Sequence, residues 1–219
     1  MSTRKTPFAL HEHYHLYNRG VDKRIIYLDK NDKKRFVRLL FLCNGSQSLV
    51  YKDIGNTPLS STNVGEKLVA IGAYCLMPNH FHILVREIKE GGIVKFMSKL
   101  KTSYSMYFNK KYARTGILFE GEFQSSHLDS DEYLKYIFSY IHLNPLKIFD
   151  PLWREKKIEK DIAKTFLHSY SDSSYLDYIG EKRENSLIIN SSAFPAYFRS
   201  TNDFKTNLFE WINFDPDAI

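Results

Sequence analysis

Cysteine is almost absent from the chain. Cys43 and Cys75 are the only two, too few for a disulfide scaffold or a four-cysteine zinc site, and their apolar neighbours mark them as buried thiols. Glycine (10) and proline (7) are sparse among 219 residues, which excludes collagen-like and low-complexity classes. No apolar run reaches the roughly 18 residues a membrane-spanning helix needs, and no apolar stretch follows the basic residues of Met1 to Leu10. The expectation is a cytoplasmic protein with no membrane partner. Acidic residues are outnumbered, 25 against 31 Lys and Arg, for a net charge of +6. That balance favours a polyanionic partner without identifying one. Aromatic residues are plentiful, with 15 Tyr and 16 Phe. Most of these rings must build the core, but they also suit stacking on unpaired bases and supply phenolic nucleophiles.

At about 150 residues per domain, the length fits one enlarged domain or a domain with an appendage. His13 to Asn18 alternates as a half-buried strand that Arg19-Gly20 ends. Asn31 to Leu42 has helical spacing, and the polar stretch Asn44 to Gly65 reads as a long surface loop. Leu68 to Met77 and His80 to Arg86 form a hairpin about Pro78-Asn79. A long helical pattern opens at Gly91-Gly92 and ends at Gly116. A strand is expected within Leu118 to Leu128, and Ser130 is placed to cap a helix from Asp131 to Asn144 that Pro145 stops. This strand-helix-strand-strand-helix-strand series predicts an α+β fold: a ferredoxin-like, split β-α-β antiparallel sheet with two helices on one face and the other face open. One more helix and a C-terminal helical appendage follow. Residues 1–144 are expected to form the core with a loop insertion at 44–65. Residues 145–219 form an appendage that does not stand as an independent domain, with a short helix near 173–180 and an amphipathic helix over Asp203 to Ile212.

Two constellations could carry chemistry. On a strand, residues i and i+2 share a face, so His80 and His82 present two imidazoles side by side while Phe81 turns into the core. Such a pair is a natural half of a divalent-metal site. His13 and His15 repeat the spacing, which shows how common the pattern is; the neighbouring of first and third strands in such a fold would bring His15 near the pair, but it is read as a surface histidine. On the helix before Pro145, Tyr136, Tyr140 and Asn144 stand four apart on one stripe. A half-buried tyrosine stripe or a helix-end asparagine chosen for its backbone conformation explains that spacing equally well.

The segments YHLYNRG near the start, YCLMPNHFHILV at 74–85, YSMYFNKKYARTG at 104–116, YIHLNP at 140–145 and SSYLDYIG at 173–180, taken together, resemble the single-tyrosine HUH transposases, and within them the REP-associated tyrosine transposase branch. The resemblance covers most of Tyr14 to Gly180. It implies a nuclease and strand transferase that cleaves and rejoins stem-loop single-stranded DNA through a 5′-phosphotyrosine intermediate, with Mg²⁺ or Mn²⁺ as cofactor. It further implies Tyr140 as the nucleophile, with His80, His82 and Asn144 as metal ligands. Phosphate contacts are expected from Arg19, Lys23 and Arg24 after the first strand and from Lys95, Lys99, Lys101, Lys110 and Lys111 on the second helix. Glu120 and Glu122 stand where basic residues facing DNA are expected. The chain is expected to act as a monomer or a homodimer. The competing reading is a non-catalytic or domesticated nucleic-acid-binding module of the same fold, which would need no metal.

Overall fold

The computed structural model describes residues 7–196 and 200–213. Strands β1 (His13–Arg19), β2 (Val69–Met77), β3 (His80–Glu87) and β4 (Gln124–His127) make one antiparallel sheet in the order β2-β3-β1-β4. Helix α1 (Lys30–Leu42) connects β1 to β2, with the short α2 (Tyr51–Ile54) in the same connection, and α3 (Gly92–Lys111) connects β3 to β4. This is the split β-α-β order expected from the hydrophobic periodicity. Helix α4 (Asp131–Leu143) comes next, followed by α5 (Leu146–Phe149), α6 (Lys160–Ser169), α7 (Tyr175–Tyr178) and α8 (Thr201–Glu210).

The pleat sorts the strands between two cores. Tyr14, Leu16, Phe81, Ile83 and Val85 face α1 and α3, packing on Phe36, Leu40, Phe96, Leu100 and Tyr104. Their neighbours Cys75, Met77 and Leu84 face the other way, onto Leu134, Ile137 and Ile141 of α4 and onto Trp153, Leu167, Tyr175 and Phe204. The second sheet face, expected to be open apart from the extra helix lying against it, is therefore covered by the C-terminal segments as well as by α4. Burying each of these large side chains contributes about 1.5–3 kcal/mol, so α4 and the C-terminal helices are held by the sheet they cover.

The free edge of β2 is capped as well. Leu76 N donates to Asp172 O (3.0 Å), Ser174 N to Tyr74 O (2.9 Å) and Asn190 N to Ile71 O (2.9 Å). Residues 172–190 thus occupy main-chain positions that an exposed edge would offer to another chain. At the bulge between Ile71 and Ala73, a Cβ on Gly72 would lie 2.5 Å from the Phe194 ring, so only glycine lets that ring close over the strand.

Three expectations need correction. Helix α3 stops at Lys111, short of Gly116, because Ala113 adopts φ 49° and Arg114 N turns back to Asn109 O. Only Gln124–His127 of the strand expected over 118–128 forms a ladder. Phe119 makes a single bridge to Gly20, and Gly121 at φ 54° breaks the extension. The 44–65 stretch is tethered and not merely a solvated loop: Leu59 and Val64 enter the first core. Buried Asn44 there donates to Val69 O and accepts from Leu68 N and Val69 N. Helix α6 is held by the burial of Ala163 and Leu167. No helix among the described residues is long and apolar enough to cross a membrane.

Candidate active site

Both histidine pairs lie on the α4 side of the sheet, since Tyr17 is the cross-strand partner of His82, Arg19 of His80 and His15 of Leu84. The His80 and His82 ring centroids are 4.9 Å apart, edge to face. His82 is 6% exposed, and its Nδ1 lies 2.9 Å from Nε2 of His15. His15 is buried, not a surface residue. His80 Nδ1 pairs with Asn79 Oδ1 at 2.7 Å, an arrangement that keeps the proton on Nδ1 and the lone pair on Nε2. Nε2 of His82 is buried with no hydrogen-bond partner. Burial lowers His15 to about 4. Burial, with the nearby charges of Lys147 and Arg19, also brings His80 to about 4. Burial and the neighbouring His15, His80 and Lys147 hold His82 well below the ordinary imidazole value. All three rings are neutral at neutral pH, the form in which imidazole ligates metals.

Helix α4 is set in place from both ends. Ser130 Oγ accepts from Tyr133 N, and Asp131 and Glu132 occupy the first turn, where negative charge suits the helix dipole. Near its other end, buried His142 bonds Phe138 O through Nδ1 and Ser174 Oγ through Nε2, each at 2.8 Å. Ser174 Oγ in turn accepts from Tyr74 N on β2. This chain of bonds fixes the rotation of α4, and it accounts for the SSYLDYIG segment, whose second serine is the bridge.

The rotation directs Tyr140 at the histidines. Its ring centroid is 5.4 Å from that of His82 and 6.1 Å from that of His15. Tyr136 packs instead among Tyr133, Tyr140 and Trp211. Asn144 is 2% exposed, and neither its Nδ2 nor its Oδ1 has a hydrogen-bond partner. Its backbone is right-handed helical (φ −54°, ψ −37°), so no left-handed turn accounts for an asparagine here. Burial raises the Tyr140 phenol above its ordinary value, and the Asn144 carboxamide and the Arg154 charge pull it partly back.

The described residues include no group of three His, Cys, Asp or Glu able to hold a metal. A set of two imidazoles and one carboxamide remains. A buried imidazole nitrogen and a buried carboxamide oxygen, both without partners, are costly in a folded core. The donor atoms of His80, His82 and Asn144 are of the kinds that suit a divalent cation.

The cations expected to hold DNA divide between the two faces. Arg19 and Lys23 line a cleft of about 680 Å³ that His80 also lines, together with Asn18, Glu120 and Gln124. Arg24 bonds Val21 O in the same turn. Glu120 does not face DNA as a lone acid: it pairs with Arg19. The α3 lysines belong to the helix on the opposite sheet face. Lys99 binds Gly45 O and Gln47 O, Lys101 binds Gly121 O on the rim of the cleft, and Lys111 binds Asp29 and Asp32. Lys95 and Lys110 are exposed. Two cations that the motif reading passed over do reach the site. Lys147 Nζ lies 5.4 Å and Arg154 Cζ 6.0 Å from the Tyr140 ring. Lys147 lies three residues beyond Asn144 in the short α5, past the proline at which the sequence pattern ends the helix. Arg154 had no sequence signal, because the turn that returns it to the site has no periodic pattern.

Residues 57–144 match the family described as Transposase IS200 like. The fold is similar to a solved REP-associated tyrosine transposase bound to a REP hairpin, with a TM-score of 0.51 and 12% identity over 84% of this chain and 90% of that one. Comparison with curated proteins gives no match. The family match runs from the β2-β3 hairpin through α3 and β4 to the end of α4, and so spans His80, His82, Tyr140 and Asn144. Over this segment the chain is similar to the IS200-like transposases.

Proposed function

We propose that the protein is a single-strand DNA endonuclease and strand transferase of transposase type, acting on stem-loop DNA. Tyr140 is the nucleophile, and His80, His82 and Asn144 are the ligands of Mg²⁺ or Mn²⁺. One observation carries this reading: two buried polar groups without partners, His82 Nε2 and the Asn144 carboxamide, flank a tyrosine whose ring contacts His82. A half-buried structural tyrosine stripe accounts for the tyrosine but not for the two orphaned groups beside it.

In the reaction, the Tyr140 Oη attacks the phosphorus of a phosphodiester in line with the 3′ oxygen. The phenol proton passes to solvent, and the departing 3′ oxygen takes up a proton to leave a 3′-hydroxyl. The DNA 5′ end stays on Tyr140 as a phosphotyrosine, which preserves a phosphodiester bond. A 3′-hydroxyl can therefore reverse the step without ATP. The bound cation supplies polarisation of the phosphate oxygens. The chain's own part is orientation. His142 and Ser174 set the rotation of α4, His15 holds the His82 ring, and Asn79 holds the His80 ring. Partial burial of Tyr140 under this cover raises its phenol pKa.

The test is incubation of end-labelled hairpin DNA with protein and Mn²⁺, followed by a denaturing gel and peptide mapping. A covalent adduct on Tyr140 is expected, absent in Tyr140→Phe and in His82→Ala, with DNA binding largely retained in both. An adduct that persists in Tyr140→Phe, or maps to Tyr136, overturns the assignment.

A further inference from the structure

We propose that Lys147 and Arg154 form a phosphate clamp over Tyr140, gripping the non-bridging oxygens of the DNA phosphodiester that the tyrosine attacks. The inference rests on the reading of Tyr140 as the nucleophile and adds to it the residues that bind the reacting phosphate.

Four observations converge on the clamp. The two cationic groups lie 5.4 and 6.0 Å from the same phenol ring. Neither forms an ion pair among the described residues, although Lys156 nearby is paired with Asp150. Nε of Arg154 is buried without a hydrogen-bond partner, an expensive state for a guanidinium unless an anion completes it. The two side chains also have rigid backings. Lys147 N donates to the carbonyl of Asn144 (3.0 Å), and Arg154 follows Trp153, which is 1% exposed in the core beneath α4.

A structural explanation is weaker than the clamp. Stacking of a cation on a phenol can be satisfied by one cation, whereas two on one ring repel each other. Burial and the Arg154 charge lower the Lys147 pKa. Lys147 also acts on His80 and His82, so its ammonium faces the same space as the imidazoles. Two repelling cations held together without an acid fit an anionic ligand whose charge is shared over two oxygens. In a transposase, the ligand of that chemistry is the phosphodiester. During attack, negative charge builds on the non-bridging oxygens, and the guanidinium fork and the ammonium beside the Tyr140 ring meet it there.

The test uses Lys147→Met/Arg154→Met, which keeps the apolar stems and removes both charges, beside Lys147→Arg/Arg154→Lys, which keeps the charges. Thermal melting verifies folding. Binding of a fluorescent dT oligonucleotide is followed in EDTA against salt, and adduct formation is followed separately with labelled hairpin DNA and Mn²⁺. Loss of two phosphate contacts reduces the slope of log K against log salt by about 1.4. The rate of adduct formation is expected to fall about 100-fold in the Met pair and to recover substantially in the charge-conserving pair. An unchanged salt slope and an unchanged adduct rate in the Met pair overturn the clamp while leaving the nucleophile assignment intact. No adduct in the wild type, with the change of slope still present, overturns the nucleophile and leaves Lys147 and Arg154 as DNA-binding residues.

Discussion

Replacing His15 by alanine tests whether the buried imidazole pair is built to present His82 to a metal. Nε2 of His15 sits 2.9 Å from Nδ1 of His82, and His15 is neutral at neutral pH because burial lowers it to about 4. A single proton lies between the two nitrogens. If His82 Nε2 is the ligand atom, that proton must sit on His82 Nδ1 and be accepted by His15. In His15→Ala the Nδ1–H of a ring that is 6% exposed loses its acceptor, which costs about 1–3 kcal/mol, and the ring is free to turn. Loss of such an orienting partner typically weakens metal binding about 10- to 100-fold. The assay is Mn²⁺ titration by calorimetry on the Tyr140→Phe background, which removes turnover from the measurement. His15→Gln offers a carboxamide oxygen as a substitute acceptor and should recover part of the affinity, whereas His15→Phe fills the space and should not. Equal Mn²⁺ affinity in the wild type and His15→Ala, with both folded, refutes the reasoning.

The sequence carried the fold well because its signals are local. Alternation in HYHLYN and HFHILVR, the Pro78-Asn79 turn and the Ser130 cap each determine one element, and their order leaves one common topology. The strand pattern also placed His80 and His82 on a shared face, and the four-residue spacing placed Tyr140 and Asn144 on one stripe. The burial of His15 was not legible, because its spacing matches any half-exposed strand and only the β1-β3 register brings it to His82. The cover over the second sheet face was hidden for a similar reason. Trp153, Leu167, Tyr175 and Phe204 come from four separate segments, and no window of sequence contains their common face. Nor could composition separate lysines by side: those on α3 read like any basic helix face, while Lys147 and Arg154, the cations at Tyr140, stand in a weakly patterned stretch.

Asp32 is a test of stability remote from the site. Its carboxylate is fully buried and accepts from Leu28 N, Asp29 N, Tyr107, Lys111 and Tyr112, so Asp32→Ala should destabilise by about 3 kcal/mol or more, read by urea unfolding. Burial tends to raise the Asp32 pKa, but the bonds from Lys111, Tyr112, Tyr107 and Leu28 outweigh it and the net shift is downward. Its contribution to stability is thus present above the unfolded carboxylate value and lost as pH falls through the folded one. Melting of Asp32→Asn should accordingly depend less on pH in the acid range than melting of the wild type. Gly72→Ala pushes a Cβ into the buried Phe194 ring and should cost about 1–3 kcal/mol, with Phe194→Leu in the same chain relieving part of the loss. The last prediction concerns Glu120, which neutralises Arg19 at the rim of the His80 cleft. The pair is about half exposed on both sides, where ion pairs add little to stability, so Glu120→Gln should leave the melting temperature unchanged. It releases Arg19 for one more phosphate contact, which should tighten single-stranded DNA binding several-fold at low salt and steepen the salt slope by about 0.7. The gain should shrink as salt rises. Weaker binding in Glu120→Gln at every salt concentration would show instead that Glu120 orients Arg19 toward the DNA, and that the pair works as one fixed unit of the cleft.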